Sequence, residues 1–130
     1  MSVRTRFNPF SVITNGDMSA NITSSVTILQ SLTNVGYSLS WSGASPVGNA
    51  SIEVSNDYSV FPNGAVNNAG TWTTLELSSG GSIVTSIGIT GNTGTAYIEI
   101  QKTSAYAIRL KYTRASGSGT LNATIMGKVS

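Results

Sequence analysis

The chain has 130 residues, a net charge of +2, and neither cysteine nor histidine. A chain of this length fits one domain that buries roughly two thirds of its extended surface. The missing residues exclude disulfides, thiolate metal sites, ordinary zinc sites and histidine-dependent catalytic triads. Charged residues are 9% of the chain, against roughly 25% in an average soluble domain.

Solvation therefore falls to Ser, Thr and Asn, which compete with the helical backbone and suit strands and turns, so the expected class is all-β. A balance of +2 spread over seven Lys and Arg is thin for a polyanion, and nucleic acid is disfavoured as a partner. No stretch approaches the roughly 20 apolar residues of a membrane span, so no membrane partner is expected. Charged residues in Met1–Phe7 are not followed by an unbroken apolar run, and no ordinary signal peptide is expected. The lack of cysteine leaves the compartment open.

Along the chain, Val3, Thr5 and Phe7 alternate with Arg4 and Arg6 before Asn8-Pro9-Phe10. The plain reading is an edge strand ending at Pro9, which has no N–H for a ladder. The functional reading makes residues 1–10 an arm on a neighbouring subunit, with Arg4, Arg6 and Phe7 in contact. Ser11–Thr14 predicts a brief strand closed by Asn15-Gly16-Asp17, a turn signal because Asn and Gly tolerate positive φ. Ala20–Leu29 predicts one long strand or two short ones with a bulge, since Ile22, Val26 and Ile28 share a parity that Leu29 and Leu32 leave.

Val35, Tyr37, Leu39 and Trp41 line one face of a strand regular enough to predict a central position. Ser42–Gly48 reads as a loop by composition, and Ala50, Ile52 and Val54 as the inward face of the next strand, its hairpin partner. Residues 56–70 lack a strand pattern, turn at Pro62-Asn63-Gly64, and form a candidate contact loop. Tyr58, Phe61 and Trp72 belong to it or border it. They are candidate partner or ligand contacts, because an exposed aromatic anchors an interface with little rotamer loss. Their plain reading is packing of the loop on itself.

Trp72–Leu77 predicts a strand whose buried side is ambiguous. Turns at Gly80-Gly81 and Gly91–Gly94 flank a twisted or bulged strand, Ile83–Ile89, and Ala96–Gln101 follows with Ile98 and Ile100 inward. Lys102–Ser104 turns the chain again. The clearest alternation is Tyr106–Tyr112, with Tyr106, Ile108, Leu110 and Tyr112 on one face and Ala107, Arg109 and Lys111 on the other. Gly117-Ser118-Gly119 then predicts a reversal into Leu121–Val129, making a hairpin. In all, about eight strands at this spacing predict one antiparallel β-sandwich over residues 1–130, a jelly roll or related Greek key.

Chemistry is sparse. The acids are Asp17, Glu53, Asp57, Glu76 and Glu99. A glycosidase needs two carboxylates roughly 5–9 Å apart, for which Glu53 with Asp57 or Glu99 is the available pair. Their plain reading is a solvent-facing strand position opposite Arg109 or Lys111. Asn56, Asp57, Asn67 and Asn68 offer oxygen ligands without the acidic density of a strong calcium loop, and read as side-chain-to-backbone turns. No catalytic, cofactor-binding or metal-ligating residue is assigned, and no cofactor is expected. Acceptor-like triplets at Asn21, Asn49 and Asn122 read as accidental without a secretory route.

The segments Ile52–Asp57, Asn68–Leu75 and Ala107–Leu121 resemble small structural proteins encoded by tailed bacteriophages and related viruses, a likeness that spans most of residues 35–127. It implies a β-sandwich component of the virion: a capsid decoration or head-associated protein, or a module of the tail or fibre. Such proteins work as symmetric homo-oligomers, with trimers favoured here, against a major capsid or other virion protein. Their functional residues lie at interfaces and are not transferable one by one. The rival reading is a carbohydrate- or receptor-binding module using Trp72, Tyr58 and nearby amides.

Overall fold

The computed structural model describes residues 6–29, 32, 34–79, 81–100 and 104–128, with side chains throughout except at 6–8, 79 and 128. Every strand pairing among them is antiparallel. In chain order the strands are β1 (Arg6–Asp17), β2 (Ile22–Thr23), β3 (Thr27–Ile28), β4 (Asn34–Ser55), β5 (Ser59–Val60) and β6 (Val66–Asn68). They continue with β7 (Thr73–Thr74), β8 (Leu77–Ser79), β9 (Ser82–Val84), β10 (Ile87–Ile89), β11 (Thr93–Ile100) and β12 (Ala107–Lys128).

Two strands of 22 residues each, β4 and β12, form the spine. They pair from Asn34↔Lys128 at one end to Ser55↔Ala107 at the other. On the outer side of β12 lie β1, then β2 and β3; on the outer side of β4 lie β11, then β10 and β7. Midway, the register shifts between Arg114 and Ser116 and again between Ser116 and Ser118, opposite Gly48, Val47 and Ala44. There the spine bends, and the far ends of its two halves come together, Ile100 and Val54 lining one groove. The result is an all-β, sandwich-like arrangement of two leaves joined by strands that run through both.

The bend overturns two sequence expectations. The runs at 37–41 and 50–54 are successive parts of β4, not hairpin partners, and 106–112 and 121–128 are likewise successive parts of β12. Each breaker, Ser42–Gly48 and Gly117–Gly119, produces a corner where a reversal was expected, and the two corners pair with each other. Gly117 has φ +74, and a Cβ there would collide with the carbonyl oxygen of Ser45. Side-chain parity records the corner. Tyr37, Leu39 and Trp41 are buried before it and Ala50 and Ile52 after it; Leu110 and Tyr112 precede it in β12, and Leu121, Ala123 and Ile125 follow. Odd numbers become even in one strand and even become odd in the other, as an extra residue in a strand requires.

These side chains join Val12, Ile13, Leu29, Ile89, Ile98 and Ile100 in one core. Each large apolar group so buried contributes about 1.5–3 kcal/mol relative to exposure. The phenols of Tyr37 and Tyr112 lie within it, and neither hydroxyl has a hydrogen-bond partner among the described residues. Burial raises both above the ordinary tyrosine range.

Other expectations shift in detail. β1 is an edge strand, yet it continues past Pro9 by a register shift between Phe7 and Phe10, and past Asn15 (φ +51) by another. The 20–29 segment is two short strands, β2 and β3, within the range foreseen. Residues 56–70 hold a small hairpin, β5–β6, folded over the Pro62–Gly64 turn. The arm residues Met1–Thr5, and with them Arg4, lie outside the described residues.

Candidate functional site

β7 pairs its Thr74 and Thr73 with Glu53 and Val54 of β4, which sets Trp72 against the outer surface of the spine. Arg109 of β12 is the cross-strand partner of Glu53, and its Nε donates to Glu53 Oε1 at 2.7 Å. The guanidinium carbon also stands 4.1 Å from the centroid of the Trp72 ring. A cation seated on an indole is worth about 0.5–2 kcal/mol, more as water is excluded. Tyr58 closes another side of Trp72, with ring centroids 5.8 Å apart and planes tilted by 55°. The indole Nε1–H donates to Ala69 O at 2.8 Å, so its polar edge is used within the loop.

Asp57 ties the base of the loop. Its Oδ1 accepts from the Thr71 N–H at 2.6 Å and from the Ser55 hydroxyl at 2.7 Å. The backbone hydrogen bond from Thr71, then the hydroxyl of Ser55, holds the carboxyl below the ordinary aspartate range. It is ionised at neutral pH and is no general acid. Asn56 accepts from the Tyr106 N–H at 2.8 Å, fastening the loop to the start of β12. Asn56 and Asp57 thus reach backbone far along the chain instead of forming the local turns expected of them; the local turn is closed by Ser55 Oγ, which accepts from the Asp57 and Tyr58 N–H groups. Among the described residues no group of three or more His, Cys, Asp or Glu could hold a metal ion.

Of the sequence candidates, Tyr58 and Trp72 come together and Phe61 stands apart, at the tip of the β5–β6 hairpin. There Phe61 is 50% exposed and Val66 54%, with Val60 beside them. The tip is closed by the Gly64 N–H to Phe61 O and the Phe61 N–H to Ala65 O, both 2.8 Å. Arg6 and Phe7 lie in β1, paired with Lys128 and Gly127 on the other side of the spine. The described candidates therefore fall in three places and form no single site.

Sequence reasoning missed three things. Arg109 was read as a solvated strand residue opposite Glu53; the ion pair is there, but the same guanidinium also covers Trp72. Val60 and Val66 join Phe61 as exposed apolar groups, and their hairpin was hidden in a segment without alternation. Tyr97 is 61% exposed, with its ring laid across Gly36 on the neighbouring strand. The outward direction of Tyr97 follows from the inward Ile98 and Ile100; the lie of its ring over Gly36, the register partner of Glu99, does not.

The fold and these surfaces define an all-β antiparallel protein with an apolar tip on its β5–β6 hairpin. No family model matches the chain, and no curated protein matches it. Among solved structures, that of the SPBc2 prophage-derived protein YomS is similar, with a TM-score of 0.60 over 97% of this chain and 96% of that one. Identity is 11%, so the likeness is one of fold. Among the described residues, no helix is long and apolar enough to cross a membrane.

Proposed function

We propose that the protein is a non-enzymatic structural component of a virion, a homo-oligomer that attaches to or stabilises the capsid. The observation that carries this reading is the β5–β6 hairpin, which holds Val60, Phe61 and Val66 out to solvent on a tightly bonded base. Apolar groups on a rigid projection are suited to burial in a partner, where a central aromatic contributes most. Likeness of fold to a prophage-derived protein along nearly the whole chain supports the phage context. The engaged carboxylates and the lack of histidine support a role without catalysis.

Light scattering on the full chain should give a closed homo-oligomer, a trimer first, and Phe61→Ser with Val66→Ser should weaken capsid attachment by about 2 kcal/mol or more. Mass spectrometry of purified particles should find the protein in stoichiometric numbers. A monomer at all concentrations, absent from particles, would sink the reading.

A receptor- or glycan-binding module of a tail or fibre is the second reading, favoured by Tyr97. Its exposed ring borders a trough of about 270 Å³ shared with Ser38, Thr124 and Met126, and a flat ring among hydroxyls is a stacking surface for a sugar. Trp72 is less suited, since Arg109 occupies a face of its ring. A glycan array should then show binding that Tyr97→Ala abolishes; a blank array removes this alternative.

A further inference from the structure

We infer that the groove beside β11 receives residues 1–5 of a second copy as an added β-strand, an inference that rests on the self-assembly proposed above. The first observation concerns strand edges, which proteins guard with proline, bulges or brevity. β1 carries Pro9 and three register shifts. The other outer strands β2, β3, β7 and β10 have only two or three residues each. β11 has none of these guards: it makes eight consecutive pairs with β4 without a shift, contains neither proline nor lysine, and pairs only with β4 among the described residues.

The second observation is a groove of about 860 Å³ at the C-terminal end of that strand, lined by Tyr97, Glu99 and Ile100 together with Val54, Leu75 and Glu76. An unguarded edge beside a groove suits strand addition by an extended peptide, whose main chain pairs with the edge while its side chains enter the groove. Two carboxylates, Glu76 and Glu99, line this groove. The third observation is the pattern Val3-Arg4-Thr5-Arg6. At period two, an added strand puts Arg4 on the outer face with Tyr97 and Glu99, and Val3 and Thr5 on the inner face with Ile98 and Ile100.

Distance separates a neighbour's arm from the chain's own. Arg6 pairs with Lys128, Lys128 with Asn34, and Val35 with Ile100, so β1 begins at the correct end of the leaf but three strands from β11. That crossing takes about 14 Å at the usual strand spacing. Residues 1–5, fully extended, reach at most about 17 Å, too little to cross and then lie along the edge. A second copy presenting its β1 beside β11 has no such crossing to make, and the contact is head-to-tail, a kind that closes a ring where its rotation permits.

The test uses the full chain, a variant lacking residues 1–5, Arg4→Glu, Glu99→Lys and the reciprocal double, sized by light scattering and followed by amide hydrogen exchange. The shortened chain and each single charge reversal should weaken assembly about tenfold or more, and the double should recover it. Alternate amides of Thr93–Ile100, those directed away from β4, should exchange at least about tenfold faster when the arm is removed. If the shortened chain assembles as the full one does, the arm is refuted and self-assembly stands. Lost assembly with unchanged β11 exchange places the arm elsewhere and refutes the groove. A full chain that never assembles refutes the parent reading. Should the shortened chain fail to fold, Arg4→Glu and its rescue still decide the matter.

Discussion

Gly117→Ala is expected to cost about 3 kcal/mol, from roughly 1–2 for a Cβ in left-handed backbone and 1–3 for an overlap that the surroundings must absorb. The overlap is with backbone, the carbonyl of Ser45 across the corner, so no side-chain rotation relieves it. Gly81 is the control: its φ is +84, but a Cβ there meets nothing within 4 Å. Gly81→Ala should lose only the backbone part, about 1–2 kcal/mol. Urea midpoints measured side by side isolate the collision. Equal losses at the two positions would show that the corner is not tightly closed at Gly117.

The second large effect lies at high pH. Tyr37 and Tyr112 are fully buried, and burial raises both phenols above the value of 10.0 they have in the open chain. Above pH 10 the unfolded chain releases these protons while the folded chain keeps them. The folded state then binds more protons, so stability is intact below about pH 10 and falls as pH rises toward the folded values. The slope approaches about 1.4 kcal/mol per pH unit for a phenol that stays protonated in the folded state while its unfolded counterpart ionises. Circular dichroism should show cooperative alkaline unfolding, with tyrosinate absorbance appearing in the same transition. Tyr37→Phe with Tyr112→Phe should flatten the slope and cost little at neutral pH, since each removes a buried hydroxyl without a protein partner. A slope that survives both substitutions would place its origin elsewhere.

Much of the fold was legible in residues whose burial alternates. Tyr37, Leu39 and Trp41, Ile98 and Ile100, and Ile108, Leu110 and Tyr112 all face the core, as period two requires, but Tyr106, just before β12 begins, is exposed and Ala107 is buried, the reverse of the expected alternation. The connections between such runs were not legible. Gly, Ser and Pro serve reversals and bulged corners alike, because both need positive φ or close backbone approach. Only the parity changes, from Trp41 to Ala50 and from Tyr112 to Leu121, hinted that the strands ran on. The candidate surfaces were less readable: a carboxylate opposite Arg109 or Lys111 was foreseeable, but the choice of Glu53 for Arg109 rests on the β4–β12 pairing, and the seating of Arg109 on Trp72 on how β7 meets β4.

The spine also dictates an order of events during synthesis. β12 follows every other strand in the chain, yet it is the neighbour of β1, β2, β3 and β4. Until it emerges, β1 has no ladder partner among the described strands, and one side of β4 stays open. Local hairpins such as β5–β6 and β8–β9 can close early, but loop closure over nearly the full chain must come before the core rewards it, which slows folding. On the ribosome, then, the long strand β4 waits unpartnered along that side until residues 107–128 have been made.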